Sequence, residues 1–203
     1  MEFSNRFDRD AFIYDNNPMH VERAKKIADA IIINLPVHRF ESVADFGSGT
    51  GLLGINFVDI ASNVDMIDTS VNMLKVLNEK VSKAGLDNIS TLQLDIFKDD
   101  LPLEKYDLIV TLMTFHHIVD TPAGIDKLKF MLKKGGFLAI SDLDKEDGTY
   151  HDGDQPPHFG LDQLSLLKSA ESLRFIPIHI SVPYVVHRKK RFYPVFLHIY
   201  KKG

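Results

Sequence analysis

The sequence predicts a doubly wound α/β domain: a seven-stranded sheet, mostly parallel, with helices on both faces and an antiparallel C-terminal β-hairpin. Three observations predict it. Strand-like apolar runs alternate with helix-spaced ones along the chain, the pattern of parallel strands joined by helical crossovers. Acidic residues and a glycine-rich loop fall at the ends of strand-like runs, where a doubly wound sheet gathers its ligand-binding groups. The last two β-rich runs, 174–187 and 193–201, are separated only by a turn-like basic stretch, RKKR. Parallel strands need a crossover of about a dozen residues or more, so this pair is expected to be antiparallel.

The elements follow in order. Residues 21–35, VERAKKIADAIIINL, carry apolar residues at helical spacing and stop before Pro36. SVADF (42–46) is a short apolar strand feeding the glycine loop, and GLLGINFVDIA (51–61) reads as a helix. NVDMID (63–68) is a second strand ending in acid; the helix SVNMLKVLNEKVSKAG follows, with Ser70 as its N-cap. ISTLQLDIF (89–97) is a third strand and YDLIVTLMTF (106–115) a fourth, followed by a helix from Pro122 to Leu132. GGFLAISDL (135–143) is a fifth strand, and a helix at 161–172 precedes the terminal hairpin. HRKKR (187–191) reads as its solvated turn.

Length and composition narrow the function classes. The 203 residues fit one domain, taken as 1–203. A hydrophobic share of 44% and a charged share of 26% describe a soluble globular chain. A net charge of −4 and the lack of a wide basic face argue against a nucleic-acid partner. The absence of cysteine removes disulfides, thiolate metal sites and thiol nucleophiles together. The charged N-terminus, MEFSNRFDRD, has no apolar signal core, and no apolar run approaches the roughly 20 residues of a membrane helix. A cytoplasmic location without membrane insertion is expected.

The stretch ADFGSGTGLLG (44–54) holds two glycine codes. From Gly47 it is G-x-G-x-G with Asp45 two residues ahead; from Gly49 it is G-x-G-x-x-G, a dinucleotide fingerprint, with Asp68 about 20 residues on. Glycines let the loop backbone approach a ligand closely, and a carboxylate ending the next strand can accept bonds from ribose hydroxyls. Two features oppose the dinucleotide. Asp45 would face a pyrophosphate, and Asp95, near the end of the third strand, is unneeded by that fingerprint.

VADFGSGTG, VDMIDTSVNML, LQLDIF, YDLIVTLMTFHHIVD and LKKGGFLAISDL together resemble the class I S-adenosylmethionine-dependent methyltransferases. The likeness is close over residues 40–143, with small-molecule methyltransferases of the ubiquinone/menaquinone type nearest. It implies a Rossmann-like fold with S-adenosyl-L-methionine as cofactor. Gly47, Ser48, Gly49 and Gly51 would lie against the methionine end, with Asp45 placing its amino group. Asp68, beside Thr69, would bind the ribose, Asp95 the adenine amino group, and Ile96 the ring. Met73 fits either helix core or a cover for the adenine; Thr111, Leu112 and Met113 fit either core or the adenosyl pocket. The expected activity is direct in-line transfer of a methyl group to a small molecule. The alternatives are an NAD(P)-dependent oxidoreductase and a catalytically silent S-adenosylmethionine-binding protein.

Such chemistry needs alignment and exclusion of water more than a catalytic motif. A general base is required only where the acceptor must lose a proton. His116 and His117, just beyond the fourth strand, are the candidate bases, and either can equally shape the site. Tyr14, Phe115, His116, Asp142, His151 and His158 are the candidate substrate contacts. The polar loop 141–160, rich in glycine and proline, is a candidate substrate loop or a solvated, mobile one; it also carries Asp144, Tyr150, Asp152 and Asp154. No metal is expected, because no tight ligand spacing joins His151 and His158 to a carboxylate. Residues 1–36 are expected to cap the cofactor cleft, with Phe7, Phe12 and Tyr14 as candidates for its roof. The acceptor stays open, as does assembly into a homodimer.

Overall fold

A computed structural model describes residues 4–151 and 153–203. Seven strands form one sheet in the order β3-β2-β1-β4-β5-β7-β6. They are β1 (Phe40–Phe46), β2 (Ala61–Asp68), β3 (Ile89–Gln93), β4 (Tyr106–Leu112), β5 (Leu132–Leu143), β6 (Phe175–Arg188) and β7 (Arg191–Lys202). The first five run parallel; β7 lies antiparallel between β5 and β6. The strand order reverses between β1 and β4, so a crevice opens beyond their carboxyl ends.

Among the described residues five α-helices accompany the sheet: α1 (Ser4–Asp10), α2 (Pro18–Asn34), α3 (Val71–Ala84), α4 (Thr121–Met131) and α5 (Gln163–Ser172). Successive strand residues point to opposite faces, and the core divides accordingly. Val43, Val64 and Met66 pack with Ile27 and Ile31 of α2 and Leu74 and Leu77 of α3. Ala44, Ile67 and Ile109 pack with Ile125 and Leu128 of α4 and Leu166 of α5. Helices therefore cover both faces, as the alternating pattern predicts.

The helix ends obey local chemistry. Asn17, Ser70, Asp120 and Asp162 each accept a backbone N–H in the first turn of α2, α3, α4 and α5. Pro18 and Pro122 stand where a helix leaves its N–H unused. The hairpin turns through Lys189 and Lys190, whose φ angles of 50° and 62° are those a two-residue turn demands.

Two elements depart from the sequence reading. The helix expected at 51–61 is a four-residue 3₁₀ turn, Gly54–Phe57, set among other turns. In an α-helix the Gly54 N–H would reach the Thr50 carbonyl. Here that N–H goes to Asp45 Oδ2 at 2.8 Å, and the Thr50 carbonyl accepts from Lys80 Nζ at 2.7 Å. The third strand stops at Gln93 rather than Phe97, because Asp95 folds the chain into a turn. Its Oδ1 accepts from Phe97 N at 3.0 Å, and its N–H donates to Asp99 Oδ2 at 2.8 Å.

The outer strand β6 exposes Ile176, Ile178, Ile180 and Val182. Pro177 and Pro183 interrupt it, and its register against β7 shifts twice.

Candidate functional site

Beyond the carboxyl ends of β1 and β4 lies a cleft of about 490 Å³. Its floor is the loop after β1. Gly47 and Gly49 take φ angles of 71° and 53°, and a Cβ at Gly47 would sit 2.3 Å from the Thr114 side chain. Only glycine meets both demands. Gly54 has a different reason: a Cβ there would collide with Met66 and with the Asp45 carboxylate.

Two strand ends, β1 and β2, and the turn after β3 bring carboxylates to this cleft. Asp45 is 1% exposed, and its Oδ2 accepts the Gly54 N–H. Burial, with the nearby Asp68 charge adding and the Gly54 N–H opposing, pushes its carboxyl up to about 7. Asp68 closes β2 and accepts from Gly49 N at 2.7 Å and from Ser70 N at 2.8 Å. Burial raises its carboxyl as well, against those N–H groups. Asp95 is the most open of the three: burial works to raise its carboxyl, but Lys98 at 2.8 Å and the Phe97 N–H together hold it below the usual value.

Ser48, Thr69, Met73, Ile96 and Leu112 also line the cleft, as do Met113 and Tyr14. Gly51 and Thr111 do not. Gly51 faces Leu77, and Thr111 is fully buried beneath the floor.

The two histidines divide. His117 lines the cleft, with the Phe7 ring set edge-on to it at 5.1 Å. His116 turns away and is 3% exposed. Its Nδ1 pairs with Asp142 Oδ1 at 2.6 Å, and its backbone N–H donates to Asp142 Oδ2 at 3.1 Å. Burial works to raise the Asp142 carboxyl, but His116 and the Leu143 N–H together hold it below the usual range.

The remaining candidates for substrate contact lie behind the cleft wall. Phe115 belongs to the core under α4. His151 is buried with its ring 5.3 Å from that of His116. His158 Nε2 lies 3.0 Å from the Ile118 carbonyl, bracing the segment after β4 from outside. The described residues after β5 are tied back to the strand's end: Asp144 bridges to Leu161, and Glu146 N donates to the Phe159 carbonyl at 2.9 Å. Asp152 lies outside the described residues. Among the described residues no group of three His, Asp or Glu side chains converges as metal ligands.

The N-terminal segment forms the near wall through Phe7, Tyr14, His20 and Arg23. It is tied down at two points: Ser70 Oγ donates to Asp8 Oδ1, and Thr50 Oγ1 to Asp15 Oδ1, both at 2.5 Å. Phe12, a predicted roof residue, is 58% exposed and faces away beside Lys75. Arg23 and His20 are lining residues that the sequence reading missed. For Arg23 a signal existed, since it falls on the α2 stripe with Ile27 and Ile31. Thr114 and Phe97 also line the cleft; each lies inside a quoted motif, YDLIVTLMTFHHIVD and LQLDIF, but neither was singled out there.

No helix among the described residues is long and apolar enough to cross a membrane. Residues 43–136 match the family described as a methyltransferase domain. An uncharacterized methyltransferase of Schizosaccharomyces pombe is 31% identical over 143 residues, covering 67% of this chain and 49% of that protein. An uncharacterized methyltransferase of Anoxybacillus flavithermus is 30% identical over 147 residues, 70% of this chain and 67% of that one. The chain thus spans half to two thirds of the length of these relatives. In fold it is similar to the N-methyltransferase NodS of Bradyrhizobium japonicum, solved with S-adenosyl-L-homocysteine. That likeness has a TM-score of 0.74 at 15% identity and covers 98% of this chain and 97% of that one.

Proposed function

This chain belongs to the methyltransferase-domain family, and from that membership we propose that it transfers a methyl group from S-adenosylmethionine to a small-molecule acceptor in the cytoplasm. The observation that carries the reading is Asp45: a buried carboxylate on the floor of a cleft that accepts the Gly54 N–H and, among the described residues, forms no ion pair. Such a group calls for a positively charged ligand atom. The cofactor's amino group is one, whereas a pyrophosphate would be repelled. The 490 Å³ volume also suits a ligand of this size.

The cofactor, when bound, supplies an electrophilic methyl group on a sulfonium. The protein's own residues hold and orient. Asp45 would bind the amino group, and Asp68 keeps lone pairs on both oxygens for the ribose hydroxyls. Ile96 and Met73 offer apolar surface to the adenine, with Asp95 at its edge. Leu112, Met113 and Phe7 keep water from the transfer region, and Phe7 with Tyr14 roofs it. Two imidazoles line the cleft. His20 is engaged locally with Asn17 and the Tyr14 carbonyl; His117, just beyond β4 and beside Phe7, would take a proton from an acceptor that has one to lose. His116 and Asp142 sit behind it and fix its position.

Isothermal titration with S-adenosylhomocysteine and, separately, with NADH tests the reading. Saturable binding of the first and none of the second is expected, with Asp45→Ala abolishing it. Binding of NADH alone would overturn the proposal.

A further inference from the structure

Met113 is the first residue beyond β4, and it lines the cleft. Its φ angle of 56° lies in the left-handed region, which a methionine seldom adopts. Its N–H continues the ladder to β5, donating to the Ser141 carbonyl at 2.9 Å. Two amides are placed by local geometry to reach the Met113 carbonyl in return. In the parallel register, with Leu112 opposite Ser141, the next ladder donor is the Leu143 N–H. In the 3₁₀ turn Phe115–His117, where each N–H reaches back three residues, it is the His116 N–H. Asp142 takes both. Its Oδ1 accepts from Leu143 N at 2.7 Å and its Oδ2 from His116 N at 3.1 Å. Among the described residues the Met113 carbonyl accepts no hydrogen bond. A carbonyl left open at a cleft wall is completed by water or by a ligand.

We infer that the Met113 carbonyl holds the methyl acceptor, and that this acceptor is a primary amine. The inference rests on the methyltransferase reading. A carbonyl accepts and never donates, so the group it holds must carry N–H or O–H. His117, four residues on and in the same cleft, takes a proton. Serving both needs two hydrogens on one atom. An amine has them, a hydroxyl or thiol has one, and a carboxylate or thioether has none. Charge agrees, because Asp45, Asp68, Asp95 and Asp120 line the cleft against Arg23, a field that draws an ammonium in. In the transfer the ammonium gives one proton to His117 and keeps one hydrogen on the Met113 carbonyl. The freed lone pair forms the bond to the methyl carbon while the carbon–sulfur pair stays on sulfur. The products are a secondary ammonium and a neutral thioether.

Met113–Thr114 is the one Met–Thr pair in the sequence, so carbon-13 at methionine carbonyls with nitrogen-15 in threonine reports on that carbonyl alone. The whole chain, saturated with S-adenosylhomocysteine, is titrated with benzylamine and with benzyltrimethylammonium, which has the same charge and no N–H. Benzylamine should move the Met113 carbonyl resonance downfield and bind roughly 10-fold or more tighter than the quaternary probe. Benzyltrimethylammonium should leave the resonance in place. Replacing Thr114 by its α-hydroxy acid turns the Met113–Thr114 amide into an ester, whose carbonyl is the poorer acceptor. Among the described residues Thr114 N donates no hydrogen bond, so little else is lost. This variant should lose most of the preference for benzylamine and keep the parent's affinity for S-adenosylhomocysteine. The proposal is overturned if the two probes bind alike, if neither binds, or if the ester variant keeps the preference. It is overturned too if S-adenosylhomocysteine alone moves the resonance downfield and benzylamine adds nothing, since the carbonyl would then serve the cofactor. Should the ester variant not fold, the labelled parent decides alone. Failure of the parent to bind S-adenosylhomocysteine sinks the proposed function instead, and benzylamine titrated into the ligand-free chain then judges the carbonyl.

Discussion

His116 Nδ1 stands 2.6 Å from Asp142 Oδ1, and both side chains are buried behind the wall of the cleft, while the adjacent His117 faces into it. One tandem pair therefore supplies an anchor and a working face. The His116 and His117 ring centroids are 4.0 Å apart, so whatever fixes the first orients the second.

Asp142→Ala should cost about 3 kcal/mol or more, because it strips His116 of its partner and leaves two backbone N–H groups unpaired. The Asp142 carboxyl is held below its ordinary value in the folded state, so its contribution is present above the unfolded pKa and is lost as the pH falls through the folded one. Urea melts of parent and variant should therefore converge in acid. A constant gap down to pH 2 would mean that the charge is not what stabilises.

For Asp45 the sign is opposite. Its folded pKa, about 7 against 3.8 for the free group, makes the ionised form unfavourable in the ligand-free protein. The penalty is absent below the unfolded value, grows from pH 4 to 7 and then stays level, at an order of magnitude of 4 kcal/mol. Asp45→Asn should thus stabilise the ligand-free chain at pH 8 and make no difference near pH 4. The same titration predicts that S-adenosylhomocysteine binding tightens up to about pH 7 and releases a proton below it. Equal variant and parent stability at pH 8 would contradict this.

Gly47→Ala meets both a positive φ and the Thr114 side chain. A loss of roughly 2–4 kcal/mol is expected from strain and clash together. Adding Thr114→Gly should recover the clash but not the strain, and denaturant titration of the two variants separates them. Full recovery would show that the backbone angle is not a constraint.

Ser70→Ala removes the α3 cap and also the tether to Asp8. About 1 kcal/mol of global stability should go with the cap. Limited proteolysis should meanwhile cut within residues 8–16 faster than global unfolding allows. Cleavage at the parent's rate would leave Ser70 as a cap alone.

The periodicities that make strands and helices are local, and they were readable over most of the sheet, both faces and the antiparallel end. So were Asp45, Asp68 and Asp95, because strand ends and ligand crevice coincide in this topology. The misread helix at 51–61 failed for a long-range reason: Asp45 and Lys80 claim the two groups its first turn needs. Asp142 and His116 lie 26 residues apart and were legible only as separate candidates. Arg23 shares the α2 stripe with Ile27 and Ile31, which marks it as inward-facing but not as a wall of the cleft. Phe12 and Tyr14 share one short segment, and only the tertiary fold decides which of them turns inward.

The outer strand β6 carries a consequence for crowded solutions. Exposed isoleucines on an unpaired edge invite a neighbouring molecule to extend the sheet, a route to cross-β aggregation. Pro177 and Pro183 withhold two amide donors, and the two register shifts bend the remaining line. The edge is therefore apolar in its side chains and discontinuous in its hydrogen-bonding groups.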